Sequence, residues 1–364
     1  MADTELRRDK LRKLIKKSDA PALLVTGEHN VTYLTGFTGD SSYLLLTAKE
    51  TLILSDKRYT TQLEEECPDI KFEVRGPDVK MHEHLTEVVR RMKLRTLGFE
   101  SQLVTVATYE AWRKQLEGVE LVPTADQVEQ LRMIKDKEEV QTICDSVACA
   151  ERAFDVVKAS LRREQTEKQV ADMLEAQVRL FGGDCTSFSP IVAVGPRAAL
   201  PHARPGASLI GDDQFVLIDW GARFRRYASD LTRILVTGKI SPKLQKVYGV
   251  VATAQARAIA AIRHGASMKE VDAAARGFIS KSGYGKQFGH GLGHGIGLEI
   301  HEAPRMGPKE DAPLKAGMVV TVEPGVYIPG WGGVRIEDDV LVTRTGAKVL
   351  TSTTKQLEEC IVGG

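Results

Sequence analysis

Two segments of the sequence place pairs of acidic residues where β-hairpins are expected. In the first segment an apolar run ends on Asp219, and the strand-like run that follows contains Asp230. If the chain turns at Phe224 and Arg225, the two carboxylates lie directly opposite each other, within about 5.5 Å at Cβ. Because like charges at this separation repel each other, the pairing predicts a divalent cation between them.

A second acidic pair lies further along the chain in the same kind of setting. A strand-like run ends on Glu323, and a glycine-rich stretch around Gly330 leads into another run that contains Glu337. A hairpin centred on Gly330 puts Glu323 opposite Glu337. One acidic residue at a strand end is usually an ordinary turn residue, but two hairpins with matched acidic pairs favour a metal site.

Three of the eight histidines, His290, His294 and His301, fall in one glycine-dominated stretch. The glycines allow the backbone to approach a site closely, but their spacing is not the G-x-G-x-x-G of a dinucleotide turn. One of these imidazoles can complete a carboxylate-rich site, and the others can contact a substrate. His202, in a Pro-His-Ala-Arg-Pro stretch, is a further candidate. A lone histidine is more often a core residue, and the other four histidines stay unassigned.

Four carboxylates and an imidazole have the charge and chemistry to hold two divalent metal ions. A mostly oxygen ligand set with one nitrogen suits Mn²⁺, Co²⁺ or Zn²⁺, and Mn²⁺ is the prediction. Two such ions, about 3.5 to 4 Å apart, lower the pKa of a bridging water from about 15.7 towards about 7. The predicted chemistry is hydrolysis without a serine or cysteine nucleophile. Cys185 is a poor candidate for a nucleophile, because no histidine lies near it in sequence.

The elements that must position these residues fall into two regions, as expected for 364 residues. Residues 1–132 alternate helix-like and strand-like patterns, which predicts an α/β domain. In residues 133–364, two pairs of amphipathic helices are each followed by several strands. This order predicts an α+β catalytic domain with two similar halves packed about an antiparallel sheet. The helices are expected at about 136–161, 166–181, 242–264 and 268–282.

Composition argues against several classes of partner. The formal net charge is +1 and no basic block stands out beyond the opening stretch Leu6–Lys17, which suits a surface helix, so nucleic acid is not expected. There is no apolar run of about 18 residues and no pattern of a signal peptide, which predicts a cytoplasmic protein without a membrane partner. The five cysteines include no Cys-x-x-Cys pair, so neither a disulfide framework nor a thiolate zinc site is indicated.

The whole chain resembles the pita-bread metallopeptidases, specifically the proline-peptidase branch that contains aminopeptidase P and prolidase. The stretch Asn30–Phe37 and the Lys57-Arg58-Tyr59 triplet are similar to the creatinase-type N-terminal domain of that family. The acidic and histidine motifs match the catalytic domain in order and spacing. The resemblance implies an α/β creatinase-like N-terminal domain, a pita-bread catalytic domain, hydrolysis of proline-containing peptides, and a homodimer.

The resemblance also implies a role for each candidate residue. Asp219 would bind one metal ion, His294 and Glu323 the other, and Asp230 and Glu337 would bridge the two. Glu323 would also handle the proton of the attacking water. His202 and His301 would contact the substrate and stabilise the transition state, and His290 would line the pocket for the residue after the cleaved bond. Tyr327 and Arg335 would border the substrate site and support the ligands.

Several alternatives stay open within this resemblance. The main prediction is an Xaa-Pro aminopeptidase of the aminopeptidase P type, because no dedicated cationic group for a substrate carboxylate is evident, and the alternative is an Xaa-Pro dipeptidase, or prolidase. Arg204 could charge the leaving side of the pocket, although a surface role is the simpler interpretation. A creatinase uses no metal, a methionine aminopeptidase typically lacks the N-terminal domain, and a non-catalytic binding protein would not need five intact ligands.

Overall fold

The computed structural model describes residues 3–362, and the chain divides into two compact units that meet in sequence between Arg132 and Met133. Among the helices that the described range contains, none is long and apolar enough to span a membrane. All five cysteines are free.

The first unit is an α/β domain built on one six-stranded sheet. Its helices are α1 Thr4–Ile15, α2 Glu28–Thr35, α3 Thr60–Glu66, α4 Met81–Arg91, α5 Val106–Gln115 and α6 Glu129–Arg132. Its strands are β1 Ala22–Val25, β2 Tyr43–Thr47, β3 Thr51–Asp56, β4 Lys71–Arg75, β5 Thr96–Glu100 and β6 Glu120–Thr124. The sheet order is β4-β3-β2-β1-β5-β6. Strand β2 runs antiparallel to both of its neighbours, β1 and β3, and every other neighbouring pair is parallel.

The second unit contains two pairs of long helices, each followed by strands, in the predicted order. The helices are α7 Lys137–Ser160, α8 Glu167–Leu180, α9 Pro242–Ala261 and α10 Met268–Lys281. The strands of the first half are β7 Cys185–Thr186, β8 Ile191–Val194, β9 Phe215–Trp220, β10 Ala222–Phe224, β11 Tyr227–Ala228 and β12 Leu231–Val236. Those of the second half are β13 Gly293–Gly295, β14 Glu302–Met306, β15 Val319–Val322, β16 Gly325–Ile328, β17 Gly332–Arg335, β18 Asp338–Val342 and β19 Ala347–Val349.

Local sequence explains where the first two of these helices begin. In α7 the Asp136 side chain accepts the backbone N–H of Glu139 while the Glu139 side chain accepts the N–H of Asp136. Thr166 and Gln169 form the same reciprocal pair at the start of α8. Such capping boxes satisfy backbone donors that have no partner within the helix, so each helix begins at a defined residue.

The strands of the second unit form short antiparallel ladders beneath these helices. The first half contributes β12-β9-β8 and β11-β10-β7, and the second half contributes β14-β13-β15-β18-β19 and the hairpin β16-β17. A bridge between Thr232 and Glu337 joins the two halves. Every residue of β9 and β12 is buried, so an acidic residue in or beside these strands must find a partner or a cation.

Candidate metal centre

The first acidic pair comes from the ribbon of β9 and β12. Asp219 lies opposite Thr232 and not opposite Asp230, so the predicted pairing is wrong by two residues. The cause is the turn, which is formed by Arg225 and Arg226 with φ of 45° and 72° and lies one residue beyond the predicted position. Asparagine and glycine usually occupy such turns, and neither marks this one. A shift of two residues preserves the face of the ribbon on which each side chain lies.

The second acidic pair has the predicted register. Val322 lies opposite Asp338 in the ladder of β15 and β18, and the hairpin of β16 and β17 continues with the same pairing. Glu323 and Glu337 occupy the matching positions between the two ladders. The prediction that these residues lie opposite each other is therefore confirmed.

His294, in β13, faces the carboxylates through its Nε2 atom. This atom lies 3.6 Å from an oxygen of Asp230 and 3.6 Å from an oxygen of Glu323. Its Nδ1 atom is 3.0 Å from the Gly295 carbonyl and therefore carries the proton, which leaves a lone pair on Nε2. Asp230, His294 and Glu337 each offer a ligand atom, and these three atoms all lie within 4.8 Å of one another.

The electrostatics of this cluster call for a cation. Burial, and then the charges of neighbouring carboxylates, raise the pKa values of Asp230 and Glu337 well above the ordinary range. Burial also raises the pKa of Glu323 to about 8. Asp219 Oδ1 and Asp230 Oδ1 are buried without a hydrogen-bond partner among residues 3–362. Carboxylate oxygens without a hydrogen-bond partner, in a cluster that also contains a neutral imidazole, fit a divalent metal ion.

Two threonines that the sequence analysis missed hold the carboxylates in place. Thr232 donates to Glu337 Oε2 at 2.6 Å, and Thr321 hydrogen-bonds the Glu323 side chain and accepts the backbone N–H of His294 at 3.1 Å. Each threonine lies two residues from an acidic residue of the same run, and therefore on the same face. That spacing is the signal that could have identified them.

Arg335 makes several hydrogen bonds to the carboxylate cluster and its neighbours. It donates from Nη2 to Asp219 at 2.5 Å, from Nε to Thr232 at 3.0 Å, and from Nη1 to the Tyr327 hydroxyl at 2.8 Å. All three nitrogens are thus engaged, and the guanidinium is buried. Arg335 is therefore placed to orient Asp219 directly, and Tyr327 supports the guanidinium.

His290 is fixed as a neutral imidazole by two hydrogen bonds. Its Nδ1–H donates to the Gly291 carbonyl at 2.7 Å, so its Nε2 accepts from the Tyr327 hydroxyl at 2.9 Å. Burial lowers the pKa of His290 to about 4. With both nitrogens occupied, His290 offers a substrate its ring surface and no charge.

His301 and His202 are exposed, and both lie at this site. The His301 ring approaches the His294 ring edge-on, with 4.3 Å between centroids. Burial, and then the charge of His202, lower the pKa of His301, and the charge of His202 also acts on His290. The structure thus brings the predicted substrate histidines together beside the carboxylate cluster.

Arg305 is a further residue at the site that the sequence analysis missed. It lies directly opposite His294 in the ladder of β13 and β14, so the two side chains share a face. Its side chain is exposed and makes no hydrogen bond or ion pair within the described range. Its charge contributes, after burial, to the lowered pKa values of His294 and His301. The pairing depends on a ladder that sequence spacing does not reveal.

The other candidates have less distinctive surroundings. Arg204 is exposed, and its carbonyl accepts a hydrogen bond from Arg197 at 2.6 Å. Cys185 lies partly buried in β7, opposite Arg223 of β10. Neither arrangement indicates a chemical role.

Two known protein families match most of the chain. Residues 141–344 match the model of metallopeptidase family M24, and residues 7–134 match the creatinase/prolidase N-terminal domain. The chain belongs to metallopeptidase family M24. The predicted pita-bread fold with a creatinase-type N-terminal domain is thereby confirmed, as is a metallopeptidase of the Xaa-Pro branch.

Full-length relatives of this M24 peptidase include proteins of both predicted subtypes. It is 36% identical to an Xaa-Pro dipeptidase of Pyrococcus furiosus, over 96% of this chain and 99% of that one. The solved structure of an Xaa-Pro dipeptidase from Bacillus anthracis superposes with a TM-score of 0.94 at 36% identity, covering 98% and 99% of the two chains. An X-Pro aminopeptidase from Thermotoga maritima superposes with a TM-score of 0.89 at 33% identity, covering 97% and 99%.

Proposed function

We propose that this chain is a metal-dependent Xaa-Pro dipeptidase, which was the alternative of the sequence analysis. The observation that carries the proposal is the exposed, unpaired Arg305 opposite His294. A dipeptidase must bind the free carboxylate of its substrate, and an unpaired buried charge is costly unless a cation meets it. The aminopeptidase prediction depended on the lack of such a cation. The similarity of this chain to relatives named Xaa-Pro dipeptidases also supports the dipeptidase.

The metal ligands in this proposal are Asp219, Asp230, His294, Glu323 and Glu337, holding two divalent ions, with Mn²⁺ as first choice. Bound ions would supply a nucleophilic hydroxide at neutral pH and polarise the carbonyl that precedes proline. The buried carboxylate oxygens Asp219 Oδ1 and Asp230 Oδ1 support this assignment, since neither accepts a hydrogen bond from the residues that the structure describes.

The chain's own residues would divide the remaining tasks. Glu323 would hold the proton taken from the attacking water and deliver it to the departing proline nitrogen. His301, whose ring lies against that of His294, and the exposed His202 would donate hydrogen bonds to the oxygen on which negative charge develops. His290 would provide the neutral, apolar wall against which the proline ring packs, because its two nitrogens are already bonded.

The test compares kcat/KM for Ala-Pro and Ala-Pro-Ala on the same Mn²⁺-loaded protein. We expect a clear advantage for the dipeptide, because only its proline carboxylate lies where Arg305 can reach it. A clear advantage for the tripeptide would reject the dipeptidase. It would instead favour the aminopeptidase P type, which the similarity to the Thermotoga maritima X-Pro aminopeptidase keeps as second candidate.

A further inference from the structure

The residues that carry His301 into the site form a short connection between two strands. β13 ends at Gly295 and β14 begins at Glu302, and we call residues 296–301 between them the His301 loop. His301 itself is exposed, although its ring lies 4.3 Å from that of His294. Something other than burial of the imidazole must therefore fix its position.

A buried ion pair lies directly at the end of this loop. Lys135 Nζ is 2.5 Å from Glu302 Oε1, and only 1% and 6% of the two side chains are exposed. Glu302 is the residue that follows His301. The backbone of Lys135 is fixed as well, because its N–H donates to the Gly317 carbonyl at 2.8 Å. The ammonium thus holds the end of the His301 loop from a residue whose backbone is itself hydrogen-bonded.

The Glu302 carboxylate also contacts the start of the loop. A Cβ added to Gly297 would lie 2.3 Å from Glu302 Oε1, so the carboxylate packs against the glycine backbone. From the other side, the Gly297 carbonyl accepts the Ala228 N–H at 2.8 Å, and the Leu298 carbonyl accepts from Arg223 at 2.7 Å. Hydrogen bonds therefore hold the loop near its start, at Gly297 and Leu298, and the ion pair holds its end at Glu302. The Glu302 carboxylate connects the two parts, because it also packs against Gly297.

Stability alone is a weak reason for such a pair. Replacing a buried ion pair by apolar residues of similar volume is often neutral or stabilising, because two charges must lose their hydration to be buried. We propose that Lys135 is a positioning residue which, through Glu302, sets the place of the His301 imidazole in the active site. The inference rests on the proposed function, since it takes the catalytic role of His301 from there.

The experiment is a double-mutant cycle on the full, Mn²⁺-loaded chain with Ala-Pro as substrate. The variants are Lys135→Met, His301→Ala and the two combined, with Lys168→Met as control, because that lysine forms an exposed pair with Asp172 on α8. For Lys135→Met we expect kcat to fall about 10- to 100-fold with KM nearly unchanged, the scale for loss of an orienting partner. Bound metal stays at the parent level, and amide hydrogen exchange in residues 296–301 becomes faster.

The combined variant separates positioning from a general structural effect. If Lys135 acts through His301, adding Lys135→Met to His301→Ala changes kcat little, whereas independent effects multiply. Should Lys135→Met fold poorly, Lys135→Met/Glu302→Met removes both buried charges and should show the same loss of kcat. Unchanged kcat, multiplying effects or loss of metal would each overturn the inference. A His301→Ala variant with parental kcat would instead reject the role that the proposed function gives to His301.

Discussion

Among single residues, Asp230 and Glu337 have the most demanding surroundings, since both carboxylates are buried beside other carboxylates. We predict that Asp230→Ala or Glu337→Ala removes both metal ions together, because each is proposed to bridge the two ions. Elemental analysis of the purified variants should give bound metal well below the parent level. Two ions per chain together with full activity in either variant would reject the bridging assignment.

His301 and His294 allow ligation to be separated from catalysis, although their rings touch. We predict that His301→Ala keeps its metal but loses about 10²- to 10³-fold in kcat, the effect of removing one donor to a developing negative charge. His294→Ala should lose metal, because its Nε2 faces Asp230 and Glu323. Metal analysis beside kcat distinguishes the two variants, and the reverse pattern would exchange the two roles.

Arg305 should act on substrate choice rather than on chemistry. We predict that Arg305→Ala raises KM for Ala-Pro about 10-fold or more, roughly the worth of one charge-assisted hydrogen bond. The effect on Ala-Pro-Ala should be small, because its proline carries no free carboxylate. Arg204→Ala is the matched control, since that arginine is also exposed but contacts its neighbours through its carbonyl. An equal rise in KM for both peptides would show that Arg305 does not bind the free carboxylate of the dipeptide.

At the scale of elements, the ribbon of β9 to β12 depends on a close approach at Gly221. A Cβ at this position would lie 1.8 Å from the Ser229 carbonyl oxygen, next to Asp230. We predict that Gly221→Ala lowers both the melting temperature and the metal content, because the ribbon must open where its two carboxylates emerge. Thermal unfolding and elemental analysis test this.

The control for that variant is Gly249→Ala in α9, where an added Cβ meets no atom within 4 Å. Alanine in a helix interior is more stable than glycine by roughly 0.5 to 1 kcal/mol, so this variant should unfold at the same or a higher temperature with its metal intact. If both variants behaved alike, the close approach at Gly221 would not matter for the site.

Periodicity identified most elements but not those that tertiary contacts support. The helices predicted at about 136–161 and 166–181 correspond to α7 and α8. The helix α2 was missed, because its eight residues include β-branched side chains with weak helix preference. The strand β13 consists of Gly-His-Gly and has no strand signal of its own, and its partners β14 and β15 define it.

At the scale of the whole molecule, the buried carboxylates make the free energy of unfolding depend on metal binding and on pH. Without metal, Glu323 has a folded-state pKa of about 8 against 4.5 for the ordinary group, so the folded chain holds a proton that the unfolded chain has lost. Its contribution to stability is therefore lost as pH rises from 4.5 through about 8. Asp230 and Glu337 shift in the same direction.

We therefore predict that a chelator lowers the melting temperature more at pH 8 than at pH 7. His290 and His294 have pKa values of about 4 in the folded chain, below the ordinary 6.5. Their contribution to stability therefore grows as pH rises from about 4 to 6.5, and it does not change with pH above 6.5. Bound divalent ions remove the repulsion among the carboxylates, so the metal-loaded protein should show little change over this window. Melting curves with and without chelator test this, and an equal drop at both pH values would contradict it.

The homodimer and the choice of Mn²⁺ stay predictions.

The sequence by itself determined the chemistry and the family. Acidic residues at the ends of apolar runs and the glycine-histidine stretch identified the candidate ligands, because residue type and local spacing are properties of the chain alone. The register between Glu323 and Glu337 was also predictable, because the glycine-rich turn between their strands has a recognisable composition.

Only the tertiary structure decided three features of the site. The strand register that places Asp219 opposite Thr232 depends on the left-handed backbone at Arg225 and Arg226, and arginine is not a residue type that predicts this conformation. The place of Arg305 opposite His294 and the burial of Lys135 against its carboxylate partner depend on segments that are brought together by folding. Each arises from long-range pairing, whose free energy is shared among many contacts, whereas periodicity and spacing report only on neighbours along the chain.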